Sequence, residues 1–580
     1  MTFDSGRALD EFLSGARTAP MTAVVAPTPI PEDADETGTG TTGGFSPFTP
    51  PRSAERIDRG SNTLTTDDDH LVTLHAGKLS VLTGGSSPEL VAQVHLDAMH
   101  VARFDKVLVR GDQVLVFGYS HHLESKLVVH FTRRADGSLH HDSSHAIRAS
   151  GSDARENTLQ GLVGEQLVFS VSHPLQRGWS DPTLAAGNVP STCTLARGRC
   201  NRWTPIIDPT DIVATGIESN TPTLHAMVLC DLQSAAAELS CTGRGVAAGP
   251  AAIPLLAPDA FYVWVDNPRW VAPPPWADAS LRSDVNAMVF RYSLQTDDVA
   301  GLRTFGSPVT KEALAVTPDG HLNLALRGMT DEEQLYLTRR GLGMDMAALR
   351  VPLERFEPGM LHGTTAKDYR DLPETPGADI TARVIGDNIV YVTTRPFQRR
   401  GEQGFYVHDL SSGETTELDV EHTIQNVLPV PGGLLIVGGA GGTLSLSAVS
   451  LGARPTIGNP LELRDLHGVR PWRLARVVNV DPHRVQVSVT SVVRHGASVE
   501  AKAHLIELRN RELASLGMLS ASSGEQDPKL CNDRCLETWF DNALTTVDGD
   551  SVSVLLGPEL IEAVLRGNLL TPRRRTRLEP

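Results

Sequence analysis

Ala382-Arg383-Val384-Ile385-Gly386-Asp387-Asn388-Ile389-Val390-Tyr391-Val392 decides how this chain is read. Two β-branched and aromatic runs flank a Gly-Asp-Asn turn, and that is the pattern of a tight β-hairpin. The same unit recurs outward in both directions. Upstream stand Val107–Phe117, Leu162–Phe169 and Leu314–Leu324; downstream stand Val427–Val437, Val477–Val489 and Thr546–Leu555. The first copy is Asp69-His70-Leu71-Val72-Thr73-Leu74 with Gly77-Lys78-Leu79-Ser80-Val81-Leu82. Copies begin near 70, 106, 159, 260, 313, 382, 426, 477 and 545, at spacings of 36 to 101 residues. An all-β unit of this kind, carried over most of the chain, predicts an all-β fold: a single β-propeller of about seven, or eight, four-stranded blades. A row of separate β-sandwiches would need linkers between the copies, and no stretch like 18–52 recurs among them.

The flanks read differently. Residues 1–17 predict a short helix, with Phe3, Leu9, Phe12 and Leu13 on one face and Asp4 or Ser5 as its cap. Residues 18–54 turn to Pro, Thr, Gly and acid, including Glu32-Asp33-Ala34-Asp35-Glu36, and read as a flexible linker. The propeller is expected over 55–565, with long loop insertions at 174–258 and 266–280. Residues 566–580, with Arg573, Arg574, Arg575 and Arg577, read as a solvated Arg-rich tail.

Composition bounds the function. With 52 basic and 69 acidic residues among 580, the net charge is −17. That argues against a nucleic-acid partner, which needs a basic surface. Hydrophobic residues at 40% and charged residues at 21% argue against wholesale disorder. No transmembrane segment is expected: Val246–Pro258, the most apolar stretch, is broken by Gly249, Pro250 and Pro254. Met1-Thr2-Phe3-Asp4-Ser5 has neither the basic nor the apolar region of a signal peptide, and taken literally implies a cytoplasmic protein.

The six cysteines argue the other way. They fall into three local pairs: Cys193 with Cys200, Cys230 with Cys241, and Cys531 with Cys535. Six cysteines allow fifteen connectivities, and sequence-local disulfides are the simplest. Unrelated buried thiols are one alternative. Zinc is another, although only Cys531 and Cys535 have ligand spacing. Disulfides require an oxidising compartment, so the expectation is a secreted or periplasmic protein whose export signal has been removed.

Motifs for chemistry are few. The sequence holds no Gly-x-Ser-x-Gly elbow, no phosphate-binding Gly-x4-Gly-Lys-Ser/Thr loop and no His-Glu-x2-His. Asp67-Asp68-Asp69-His70 offers oxygen ligands but lacks the alternate spacing of a calcium loop. Ten of the 20 histidines lie between His70 and His145, among them His121-His122 and His140-His141-Asp142-Ser143-Ser144-His145. Adjacent residues on a strand face opposite ways, which separates His140 from His141. No metal and no cofactor is expected. Trp264, Trp270 and Trp276, around Pro273-Pro274-Pro275, offer a stacking platform for a sugar or peptide; the opposing reading folds this loop onto the ring and buries the rings.

Several segments resemble the secreted bacterial and archaeal β-propeller domain proteins. Phe3-Asp4-Ser5 through Leu9 and Leu13 is similar to their opening helix. Thr66–Val72 with Gly77–Val81 is similar to the acidic segment that leads into their first strand pair. Val289–Leu294, Gly306-Ser307-Pro308-Val309 and Asp319-Gly320-His321-Leu322 follow in the family's order, as do Arg383–Thr393 and Val407–Ser411. The cysteine-bearing 174–258 region departs from the family. The resemblance implies a propeller and secretion, and it carries no catalytic motif.

The resulting expectation is an extracytoplasmic, non-catalytic binding module. It recognises a protein, peptide or surface glycan through its inter-blade loops and is tethered through the N-terminal linker. The alternative is a propeller-type enzyme, a hydrolase or metal-dependent, with acids or histidines of several blades meeting at the mouth of the central channel.

Overall fold

Gly111 and Gly386 lie in the hairpin turns with φ of +57° and +56°. Glycine enters that left-handed region without steric cost, and turns of this hand match the twist of the strands they join. The computed structural model describes residues 5–16 and, from 65 to 577, the strands and most of their connections. The longer stretches outside it are 17–64, 149–159, 176–189, 215–221, 267–286, 328–345, 395–402, 465–474 and 524–543.

The described strands form nine sheets in chain order, mainly antiparallel. Sheet 1 spans Thr65–Asp67 to Leu90–His95, and sheet 2 begins with Arg103–Arg110 and Gln113–Ser120. Sheet 3 begins with Gln160–Val163 and Gln166–Pro174, sheet 4 with Ala252–Leu256 and Ala260–Asp266, and sheet 5 with Ser307–Pro308, Leu314–Thr317 and His321–Arg327. Sheet 6 begins at Asp379–Ile385, sheet 7 at Asn426–Val430, sheet 8 at Ala475–Asp481 and sheet 9 at Leu544–Asp548. Each of the nine hairpins legible in the sequence falls in its own sheet, so nine sheets stand where about seven or eight blades are expected.

The core shows how the sheets are arranged. Alternation along each strand gives it two apolar faces, and each face packs on a neighbouring sheet. Val72, Leu79 and Val114 join sheets 1 and 2; Leu115, Leu167 and Val228 join sheets 2 and 3. Val168, Val246 and Phe261 join sheets 3 and 4; Tyr262, Trp264 and Leu324 join sheets 4 and 5. The series continues through sheets 5 and 6, 6 and 7, 7 and 8, and 8 and 9. Leu71 and Leu82 of sheet 1 then meet Leu555 and Leu560 of sheet 9. The array returns to its start. This is a β-propeller.

Two expected segments are corrected by the sheet order. Residues 174–258 are not a loop insertion. They supply Thr223–Asp231 and Ser240–Ala248, the third and fourth strands of sheet 3, and open sheet 4. The chain between Pro174 and Thr223 also lays Ser191–Ala196 antiparallel on the outer strand of sheet 2 and Ile212–Ala214 parallel on the outer strand of sheet 3. Leu361–Gly363, from a connection of sheet 5, likewise pairs with Val299–Thr304 of sheet 4. The second correction concerns the C-terminal arginines: Leu569–Arg577 is the outer strand of sheet 9, not a tail, because its backbone pairs with Glu559–Arg566.

The N-terminal helix is α1, Gly6–Ala16. Ser5 accepts from the Ala8 amide and caps it. Leu9 and Leu13 are fully buried in the core of sheets 2 and 3, together with Ile206, Ile207 and Ile212 of the segment that joins those sheets. Burying each leucine contributes about 2 kcal/mol.

Candidate functional site

The histidine-rich hairpin pairs Ser125–Arg133 with Leu139–Arg148 in sheet 2. Its turn is held by Asp136, whose Oδ1 accepts from the Ser138 amide and hydroxyl. The register shifts between His130 and Phe131, which leaves Asp142 as the extra residue beside His130. Thr132 Oγ1 donates to Asp142 Oδ2 at 2.7 Å, and His130 Nδ1 lies 3.6 Å from the same oxygen. His140 Nε2 stands 4.0 Å from Asp142 Oδ1. His130 is 2% exposed and neither ring nitrogen has a hydrogen-bond partner. Burial pulls it below the ordinary histidine value, with Asp142 and then Asp112 opposing.

His140 pairs with Thr132 and His141 with Phe131, so the two imidazoles face opposite ways, as strand alternation requires. His141 lies edge-on to the Phe131 ring at 5.5 Å. His145 bonds Ser143 Oγ at 2.9 Å and reaches Thr194 Oγ1 of the added strand at 3.4 Å. Arg133 bonds His70 of sheet 1 at 2.7 Å. Most of these histidines therefore brace strands and sheets. Among the described residues no group of three or more His, Cys, Asp or Glu is placed to hold a metal ion.

The aromatic platform is only partly where the sequence places it. Trp264 is a core residue, 1% exposed in Ala260–Asp266, and packs between sheets 4 and 5. It is removed from the ligand loop, because strand alternation turns it inward beside Tyr262. Trp270 and Trp276 lie outside the described residues. Two of the expected disulfides are formed. Cys193–Cys200 closes the hairpin added to sheet 2, and Cys230–Cys241 joins directly opposed residues of sheet 3. Cys531 and Cys535 lie outside the described residues, as do Asp68 and Asp69; Asp67 ends the first strand.

Besides Arg133 with His70, and Ser488 Oγ with Thr545 Oγ1 at 2.6 Å across sheets 8 and 9, several polar links between sheets use backbone acceptors. Arg110 donates to Gly164 O across sheets 2 and 3. Thr310 Oγ1 donates to Ala382 O at 2.6 Å across sheets 5 and 6, and Arg383 to Val427 O at 2.8 Å across sheets 6 and 7. Burial lowers the Arg383 guanidinium, with Glu312 opposing. Four imidazole–carboxylate contacts fall within one sheet or its own connection: His130 and His140 with Asp142, His321 with Asp319, and His362 with Glu357.

The sheet order assigns each connection to one of the two ends of the ring. In an antiparallel four-stranded sheet, connections between strands 1 and 2 and between 3 and 4 leave at one end. Those between strands 2 and 3, and from strand 4 to the next sheet, leave at the other. The 1–2 connections are tight, as at 111–112, 386–387 and 549–550. The 2–3 connections of sheets 3 to 6 are 175–222, 267–286, 328–345 and 395–402. Trp179, Trp203, Trp270 and Trp276 fall in these, and Trp472 and Trp539 in the passages to sheets 8 and 9. Six of the seven tryptophans thus belong to connections that leave and re-enter the ring at one end, although Trp203 is held beneath Arg148, 4.2 Å from its ring. Reading Trp264, Trp270 and Trp276 as one loop misses this; the signal lies in strand order, not in local sequence.

No family model matches the sequence. No curated protein matches it either. Among solved structures, the chain is similar to the β-propeller domain of the Trilobed protease from Pyrococcus furiosus, at 11% identity and a TM-score of 0.28, over 72% of this chain and 93% of that one. It is also similar to the Nup133 β-propeller domain of Vanderwaltozyma polyspora, at 11% identity and a TM-score of 0.26, over 56% and 92%. Oligopeptidase B from Trypanosoma brucei is similar at 10% identity and a TM-score of 0.29; the match covers 80% of this chain and 53% of that protein. The fold rests on the sheet order and the returning series of core clusters, not on these likenesses.

Proposed function

We propose that this chain is an extracytoplasmic, non-catalytic binding propeller of the secreted β-propeller kind. Its ligand is a protein, peptide or surface glycan, taken at the end of the ring where the long 2–3 connections leave. The observation that carries this reading is that the long 2–3 connections of sheets 3 to 6 leave at one end, opposite the tight 1–2 turns. A rigid ring that presents variable connections at one end is suited to recognition, and aromatic side chains supply stacking area for sugars and peptides. The two disulfides support an oxidising compartment. Among the described residues no helix is long and apolar enough to cross a membrane. Residues 18–54 serve as the tether.

Titration of the full chain against glycan and peptide panels tests the reading. Trp270→Ala and Trp276→Ala are expected to weaken capture at least tenfold, by the usual worth of an aromatic anchor, with the melting temperature unchanged. Binding that survives both substitutions, and also Trp472→Ala and Trp539→Ala, removes the proposed face.

A further inference from the structure

One of the nine interfaces in the ring differs from the rest. Every other neighbouring pair of sheets is consecutive in sequence, so a direct connection joins it. Sheets 1 and 9 are not consecutive. The strands of sheet 1 come from 65–95 and those of sheet 9 from 544–577, and among the described residues neither end of the chain lends a strand to the other's sheet. Among the described residues, side chains alone close the ring there.

Those side chains make the poorest of the nine cores. Among the described residues four leucines meet at this seam, Leu71, Leu82, Leu555 and Leu560. The next smallest interface, between sheets 6 and 7, buries eight apolar residues. Strand alternation shows what else the two sheets turn toward each other. Val72 and Leu74 face sheet 2, so Thr73 faces the seam with Leu71. Ile561 and Ala563 face sheet 8, so Glu562 faces the seam with Leu560, and Thr576 stands opposite Leu560 on the same face. Thr73 is 2% exposed and Glu562 5%. The Thr73 hydroxyl, both carboxyl oxygens of Glu562 and the Thr576 hydroxyl are buried without a hydrogen-bond partner. Such groups weaken an interface, because they lose water and gain nothing for it. Burial raises the Glu562 carboxyl pKa, with Arg574 opposing.

We propose that this seam is the opening joint of the ring: sheets 1 and 9 part from each other, and wet their buried polar groups, while the other eight interfaces hold. Local openings of this kind take less free energy than global unfolding. Joining the two sheets by side chains alone, with few leucines and several unsatisfied polar groups, makes this interface the first to open.

Thiol labelling of the full native chain, read by peptide mapping, tests the joint. Thr73→Cys places a reporter at the seam. Ser447→Cys places one at the interface of sheets 6 and 7, where Ser447 is 1% exposed. The seam cysteine is expected to label at least about tenfold faster than the control, at a rate well above global unfolding. Glu562→Leu in the Thr73→Cys background replaces the unpartnered carboxyl with an apolar group. It is expected to slow seam labelling on the order of tenfold and leave the Ser447→Cys rate unchanged. Leu555→Cys gives the same reading from sheet 9, should Thr73→Cys fail to fold. Equal rates at seam and control, both matching global unfolding, overturn the proposal; so does a Glu562→Leu variant that leaves seam labelling unchanged.

Discussion

Acidification should destabilise this protein through identified imidazoles, and His504 carries the largest share that can be worked out. It lies in Ser498–Arg509 of sheet 8, opposite Met518. Its Nε2 is buried without a partner. Burial, reinforced by Lys502, holds the imidazole down at about 4 against an ordinary 6.5. In the unfolded chain it takes up a proton as the pH falls through 6.5; in the folded protein it does so only near 4. The stability tied to neutral His504 is therefore complete above pH 6.5, is lost progressively as the pH falls from there, and is exhausted below about 4. At about 1.36 kcal/mol for each pKa unit, that interval amounts to about 3 kcal/mol at most. Urea unfolding at a series of pH values between 7.5 and 4, for the native chain and for His504→Gln, isolates the share. His130 and His408 are lowered in the same direction in both proteins and cancel in the comparison. The native chain should lose about 3 kcal/mol more than the variant over this range. Parallel pH profiles, or a His504 resonance titrating near 6.5 in the folded protein, would refute the reasoning.

Two further outcomes follow from the packing. Replacing Cys230 and Cys241 together by serine should lower stability by about 3 kcal/mol, the loop-closure value for a separation of 11 residues; the same change at Cys193 and Cys200, separated by 7, should cost about 2 kcal/mol. Calorimetric melting under oxidising conditions measures both. Gly438→Ala should destabilise sheet 7 by about 3 kcal/mol or more, because an added Cβ would lie 1.6 Å from the Thr423 carbonyl oxygen; chemical denaturation against the parent chain checks it.

Much of the architecture was legible because hairpins are local. Period-two alternation and a Gly, Asp or Asn turn are both written within about ten residues. Gly386 sits in the left-handed turn expected of it, and the neighbouring run pairs Ile385 with Asn388. The cysteine pairs Cys193–Cys200 and Cys230–Cys241 were legible for the same reason, since each closes a short span. The opposed faces of His140 and His141 followed from alternation alone.

The all-β hairpin array, the N-terminal helix and two local disulfides can be read from the amino-acid order, because each depends on residues near one another in the chain. Long-range packing makes Trp264 a core residue, joins the segment after Pro174 to sheets 2 and 3, and places Arg573–Arg577 in a strand. It also fixes that, among the described residues, sheet 9 closes on sheet 1 through four leucines. These depend on which distant surfaces meet. Alternation gives every strand two faces; what each face meets is fixed only when the whole ring is assembled.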